Sequence, residues 1–383
     1  MFMIGALIIA IAASAISIKT LVGYTEMRSV YKILISLLIV SAWFAPVIIS
    51  VIRATAWGNT RFFAYVSDVG YFLFGIVFLL LILLLLRDFL WFFAYETAKL
   101  IKSPYAAALN PSDVRMLNLA NLYTVALTFL LGFYALYEGI KLPAVKETLA
   151  SPALKREYTL VQLSDLHINR TIPPERIEKL VEKVNALEPD VILLTGDIGD
   201  DKVEAVGPQM AALEELQSKY GIFAVFGNHE FYNGLMPWQF KFGKMGWSAL
   251  FNYGLPVKDT ELYVGGVPDV SIARGSPFFK IDVDRTLENS SDGQYKILLS
   301  HTPRFQKEMI TKAQYDLQLS GHTHGGQIFP FHLLVKQANK YLAGLYDVND
   351  TKLYLSRGAG YWGPPMRLFA PSEITVIRLK PEK

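Results

Sequence analysis

The chain has 383 residues, 52% of them hydrophobic and only 19% charged, which argues against a wholly soluble protein and for a membrane-embedded portion beside one or two further domains. A net charge of +3, with no stretch that interleaves clustered Lys/Arg with aromatics, gives no reason to expect a nucleic-acid partner. The absence of cysteine excludes disulfides, thiolate-ligated zinc and cysteine nucleophiles.

Four apolar runs precede residue 140, at 2–18, 33–52, 69–92 and 117–137. Each approaches the ~20 residues that a helix needs to cross the hydrocarbon core. The third holds an unbroken Leu/Ile stretch, 79–86, that no soluble amphipathic helix would show. Trp43, Trp57, Tyr71, Trp91, Tyr134 and Tyr137 lie mostly towards the run ends, where amphipathic rings favour the headgroup layer. Pro46 is expected to kink or interrupt the second helix. The segment 99–115, with Pro104 and Pro111, reads as an extramembrane connection. Ala13-Ser14-Ala15 resembles a signal-peptidase site, but the first run lacks a basic n-region and is read as a span. Lys19, Arg28 and Lys32 in loop one, and Arg87, Lys99, Lys102 and Arg115 around loop three, outweigh Arg53 and Arg61 in loop two. The positive-inside rule then predicts a multi-pass cell-membrane protein whose C-terminal domain faces away from the cytoplasm. The expected organisation is a transmembrane region at 1–140, a connector at 141–156 and a soluble domain at 157–383.

From residue 158 strands and helices alternate. Apolar strands are expected at 158–163, 191–194, 222–226, 263–266, 295–300, 317–320, 353–356 and 374–379. Helices are expected at 173–187, where Ile177, Leu180, Val181, Val184 and Leu187 share a face, and at 203–220. At five strand ends the chain presents a metal-type ligand: Asp165-Leu166-His167, Gly196-Asp197, Gly227-Asn228-His229-Glu230, Ser300-His301 and Gly321-His322-Thr323-His324. Five of the six histidines fall in these blocks. Histidine and carboxylate accept the same hard or borderline cations, and α/β sheets bind ligands outside the carboxyl ends of their strands. Gly196, Gly227 and Gly321 suit turns crowded against a cation. His322 and His324 alternate, so in an extended segment both side chains point one way and Thr323 points the other.

With these blocks quoted, residues 158–379 resemble the calcineurin-like metallophosphoesterase superfamily, whose pattern is D-x-H, G-D, G-N-H-[DE], H and G-H-x-H. No ligand position is substituted. The resemblance implies an α/β fold, a four-layer αββα sandwich, preceded here by an all-α region of four transmembrane helices. It implies two divalent metal ions (Mn, Fe or Zn), one on Asp165, His167, Asp197 and His324, the other on Asp197, Asn228, His301 and His322. Asp197 would bridge them. The implied reaction is attack of a metal-bridging hydroxide on phosphorus, with His229 contacting phosphate or protonating the leaving oxygen and Glu230 as its partner. Asp197, Asn228 and His229 thus carry the expected catalytic roles. His332 lies outside every block and is read as structural. Residues 265–269 read as a turn near the site, and 358–365 as a closing loop or a lid over a lipid tail. Arg274, Arg304, Arg357 and Arg367 are candidates to hold phosphate.

The apolar runs and the resemblance together lead to the expectation of a membrane-anchored hydrolase of phosphate mono- or diesters, whose short tether makes a lipid-linked substrate attractive. Similar enzymes include UDP-2,3-diacylglucosamine pyrophosphatases. An outward-facing domain excludes that cytoplasmic substrate and favours a phospholipid, isoprenoid phosphate or nucleotide. The alternative is a membrane sensor or scaffold whose phosphoesterase domain is regulatory, which the intact ligand set disfavours. The partners expected are the bilayer and a phosphoester.

Overall fold

The computed structural model describes residues 2–53, 55–270, 280–303 and 315–382. The chain forms two compact units, one of Met1–Tyr137 with Gly363–Met366, the other of Glu138–Trp362 with Arg367–Lys383.

The first unit is helical: α1 (Phe2–Ile18), extended by a π-helical turn at Lys19–Gly23, α2 (Ser29–Arg53), α3 (Arg61–Leu100) and α4 (Val114–Ile140). All four helical segments are long and apolar enough to cross a membrane. At ~1.5 Å per residue the 40 residues of α3 span ~60 Å, so its ends outrun a ~30 Å hydrocarbon core. α2 runs through Pro46 without interruption. Ala10, Ala13, Ile39, Trp43, Val77 and Leu84 pack at the unit's centre. Two polar groups inside are joined across the unit: Asn121 Nδ2 donates to Leu21 O at 3.1 Å, and Arg87 Nη1 to Asn121 Oδ1 at 2.5 Å.

The second unit is α/β. Its elements are β1 (Ala144–Ser151), β2 (Tyr158–Leu163), α5 (Pro174–Asn185), β3 (Val191–Thr195), α6 (Gly207–Leu213), β4 (Ile222–Val225), α7 (Asn228–Tyr232), α8 (Leu235–Lys244), β5 (Ser248–Ala249), β6 (Tyr253–Pro256), β7 (Leu262–Gly266), β8 (Tyr295–Leu299), β9 (Leu317–Ser320), α9 (His332–Asn339), β10 (Gly344–Val348), β11 (Thr351–Leu355) and β12 (Ile374–Pro381). Among the described residues they form two six-stranded sheets, ordered β1-β12-β2-β3-β4-β5 and β10-β11-β9-β8-β7-β6. β2, β3 and β4 are mutually parallel, as are β7, β8, β9 and β11. Leu160, Leu193 and Val225 of one sheet meet Ile297, Leu317 and Tyr354 of the other in a shared core. On the first sheet's outer face Val161, Ile192 and Ala224 pack against Ile177 and Leu180 of α5, Met210 of α6, and Trp238 and Phe242 of α8. Among the described residues, the second sheet's outer face carries Leu298 with Val267, Val283 and Tyr315, and Leu353 with Val348.

Two local expectations differ. The stretch read as a plain connector carries β1, parallel to β12 from Ala144↔Ile374 to Ser151↔Pro381. The helix expected over 203–220 is a 3-10 turn (Val203–Val206) followed by the short α6. Pro208 sits in the first turn of α6, where its missing N–H costs nothing, and so starts a new helix instead of continuing one.

Candidate metal centre

The carboxyl ends of β2, β3 and β4 in one sheet, and of β8 and β9 in the other, feed the loops that carry all five blocks. Three groups of side chains converge there: Asp165 with His167 and His324; His167 with Asp197 and His229; and Asp197 with His301 and His322. Within each, potential ligand atoms lie within 4.8 Å of one another. Asp197 stands at the centre. Its Oδ2 is 3.1 Å from His301 Nε2, 3.7 Å from His167 Nε2 and 3.9 Å from His229 Nε2, while its Oδ1 accepts from His229 N at 2.9 Å.

The geometry suits a cation. His167 Nε2 and His324 Nε2 are 3.0 Å apart, and His301 Nε2 and His322 Nδ1 are 3.3 Å apart. An N–H···N hydrogen bond joins such a pair in one tautomer, and in the other both lone pairs face a space that a cation could fill. His301 Nδ1 donates to Thr195 O at 2.8 Å, which leaves Nε2 unprotonated in the neutral ring and free to ligate. Asn228, at the start of α7, has a buried carbonyl Oδ1 with no hydrogen-bond partner, an orphan that ligation would resolve.

The backbone is bent to this purpose. Asp165, His167, Asp197, His322 and His324 have φ of 54°, 48°, 53°, 72° and 50°, in the left-handed region that side chains with a Cβ rarely adopt. The segment 322–324 is therefore not extended, as alternation suggested. His322 and His324 reach the site because both turn left-handed about Thr323, at φ −82°. Thr323 does turn aside, its hydroxyl donating to Leu342 O at 2.7 Å. Close packing explains two glycines: a Cβ on Gly227 would lie 2.1 Å from Asp197 Oδ1, and one on Gly321 1.9 Å from Ser164 Oγ.

Electrostatics follow from burial. Asp165 is pushed up to about 6 by burial, with Asp197 adding to the effect. His167 is lowered to about 3 by burial and by the nearby His229, and His322 to about 4 by burial and His301. Asp197 and His301 perturb each other: despite burial, His301 holds Asp197 well below the usual carboxylate range, and Asp197 raises His301. Burial opposes charge on His229, but Asp200 and Asp197 outweigh it and raise the ring to about 9.

Asp200, unremarked in the sequence, is the partner of His229: its Oδ1 lies 2.6 Å from Nδ1. Its only signal was a second carboxylate three residues after Asp197. Glu230, expected in that role, instead accepts the backbone N–H groups of Asp197 at 3.1 Å, Gly199 at 2.8 Å and Gly227 at 2.8 Å. In a helical turn neighbours at i and i+1 do not face each other, and the N3 side chain folds back to cap the turn. Arg367 is not a phosphate ligand. It is fully buried and donates to the carbonyls of Gly360, Arg357, Gly358, Ala370 and His324, with Nη2 3.2 Å from His324 Nδ1. Arg357 pairs with Glu373 at 2.7 Å. Arg274 and Arg304 lie outside the described residues. Of the stretch 265–269 expected as a turn, Gly265 and Gly266 end β7, and the residues after them bring Asp269 to accept from Thr302 Oγ1. Residues 358–360 of the closing loop clamp the first block: Ala359 N donates to Ser164 O at 3.0 Å and Gly360 N to Asp165 O at 2.9 Å. His332, at the start of α9, stacks on Phe329 with centroids 5.0 Å apart.

A family model described as calcineurin-like phosphoesterase matches residues 158–326. An uncharacterized metallophosphoesterase of Helicobacter pylori is 38% identical over 262 residues, covering 66% of this chain and 69% of that protein. One of Campylobacter jejuni is 35% identical over 265 residues, covering 68% and 69%. A transmembrane protein with metallophosphoesterase domain from Danio rerio is 32% identical over 267 residues, covering 66% of this chain and 61% of that one.

Proposed function

The chain belongs to the calcineurin-like phosphoesterase family, and on that premise we propose that it is a membrane-anchored, metal-dependent hydrolase of phosphate mono- or diesters. The observation that carries this reading is Asp197 Oδ2, within 3.9 Å of three imidazole nitrogens from three different loops. Asp165, His167, Asp197 and His324 would hold one divalent ion, and Asp197, Asn228, His301 and His322 a second. Manganese, iron and zinc all suit such oxygen and nitrogen donors. Such a pair supplies Lewis acidity, activating water and neutralising phosphoryl oxygens.

The chain's own groups do the rest. Asp197 spends both carboxylate oxygens on the site, Oδ1 steadied by the amide of His229 at 2.9 Å. Asn228 contributes a neutral oxygen, which limits negative charge next to an anionic substrate. His229 lies outside the ligand set the resemblance implies; Asp200, 2.6 Å from Nδ1, orients its ring and favours the protonated form that can donate. That hydrogen bond aims Nε2 at the phosphoryl position, where it donates its proton to the leaving oxygen.

A lipid-linked phosphoester is the preferred substrate, because three residues separate the end of α4 from the start of β1. At ~3.5 Å each these extend at most ~10 Å, which keeps the hydrolase beside the bilayer. The α/β unit faces away from the cytoplasm, by the distribution of Lys and Arg among the loops. The test is an activity screen of the full-length protein in detergent with defined metals, comparing p-nitrophenyl mono- and diesters with phospholipids and nucleotides. Asp197→Ala should abolish hydrolysis and His229→Ala should retain metal but lose most turnover. Hydrolysis that persists in Asp197→Ala refutes the assignment. A reporter fused after Lys383 that works only in the cytoplasm refutes the orientation.

A further inference from the structure

We propose that the α/β unit docks on the bilayer through an apolar face built from Phe329, Phe331, Leu333, Leu334 and Phe369, and that the occupant of this face is an anionic lipid surface. The five side chains are 40, 46, 61, 59 and 71% exposed. They come from two segments joined by backbone: Phe329 N donates to Leu368 O at 3.2 Å, and Leu368 N to Gln327 O at 2.8 Å. The Phe329 and Phe369 rings meet edge to face with centroids 5.8 Å apart. Phe331, Leu333 and Leu334 follow at the entry and first turn of α9. Soluble surfaces rarely leave such a group of large apolar side chains in water.

Phe369 adds a second argument. It has φ of 59°, a left-handed conformation that costs a bulky residue free energy, yet its ring is displayed and not buried. An intramolecular packing role would cover that ring. A bilayer would cover it from outside.

The choice of occupant rests on charge and on chain connectivity. Lys336 and Lys340, both exposed, flank the apolar turn of α9, which gives the aromatic and leucine face with basic neighbours that anionic headgroups attract. The same chain carries helices long and apolar enough to cross a membrane, the last of them separated from β1 by three residues, so a bilayer is the surface to which this unit stays tethered whichever ester the metal centre accepts.

The chain contains no cysteine, so single cysteines can be labelled without removing others. Full-length Leu334→Cys and Phe369→Cys, each carrying an environment-sensitive fluorophore, would be reconstituted in nanodiscs containing phosphatidylglycerol and lipid-borne nitroxide quenchers. Lys258→Cys, on an exposed turn between β6 and β7, is the reference. The expected result is loss of most fluorescence at positions 334 and 369, little loss at 258, and weaker quenching at 334 and 369 when Lys336→Glu and Lys340→Glu are added. Labels at 334 and 369 that stay open to an aqueous quencher overturn the proposal. So do labels shielded from water without nitroxide quenching, as beneath a second copy or a protein partner, and so does equal quenching at all three positions.

Discussion

Replacing Gly227 by alanine adds a single methyl group, and the geometry around it sets the consequence. At φ −92° the backbone accepts any L residue, so strain in φ plays no part. The new Cβ would lie 2.1 Å from Asp197 Oδ1 and 2.7 Å from Asp197 N, where carbon and oxygen need about 3.3 Å. Asp197 must withdraw by roughly 1 Å. It has nowhere to go without loss, because it is buried, Oδ1 accepts from His229 N, and Oδ2 faces His301 Nε2 at 3.1 Å. A displacement of that size at reacting groups costs about 100-fold in rate, and overpacking costs about 1–3 kcal/mol in stability. The assay is turnover of a p-nitrophenyl ester by the full-length protein, with metal content by elemental analysis and the thermal midpoint on the same preparation. Turnover and bound metal should fall together. Gly207→Ala is the control: its Cβ meets nothing within 4 Å at φ −51°, so turnover should hold and stability should rise by about 0.4–1 kcal/mol. Wild-type metal content and turnover in Gly227→Ala would refute the claim that Asp197 is held in place by this contact.

Asp200→Asn removes the charge facing His229 while keeping its shape, and should lower kcat more than KM with metal content unchanged; a variant that loses metal instead would make Asp200 part of the ligand set. Glu230→Gln exchanges an acceptor for a donor among three amides at 2.8–3.1 Å and should destabilise the α/β unit by about 1–3 kcal/mol in chemical denaturation. Arg367→Lys cannot reproduce a fork shared among five carbonyls; it should lower the thermal midpoint while substrate preference stays put, and altered preference would return this residue to the substrate pocket. Removing metal with a chelator should lower the midpoint, and reloading should raise it again, adding about 2.7 kcal/mol of stability at a hundredfold excess over Kd.

The types and order of the site residues were legible because strand ends in a parallel sheet leave few positions from which a side chain can reach the rim. What local pattern could not supply was backbone handedness. Alternation at His322 and His324 suggested an extended segment, yet both adopt positive φ, a conformation imposed by tertiary packing and disfavoured by their own Cβ. Adjacency likewise nominated Glu230 for His229, whereas in a helical turn successive side chains diverge, and the partner came from another loop at Asp200. The strand β1 was hidden by its composition: Lys146 and Glu147 sit on an edge strand, where charge is tolerated and the apolar signal fades. Arg367 read as a phosphate binder because guanidinium suits phosphate, but it suits converging carbonyls equally well.

Five of the proposed ligands share the left-handed region, a conformation worth about 1–3 kcal/mol of strain at each residue. The groups that hold them there belong to the protein. Glu230 ties the amides of Asp197, Gly199 and Gly227. Both oxygens of Asp165 accept from His322 N, and Gly360 N takes the Asp165 carbonyl. Arg367 gathers the carbonyls around His324. These ties should hold the ligand geometry with or without a cation. Metal binding should then proceed with little backbone rearrangement, and amide exchange around residues 165–167 and 322–324 should slow on loading without a change of fold.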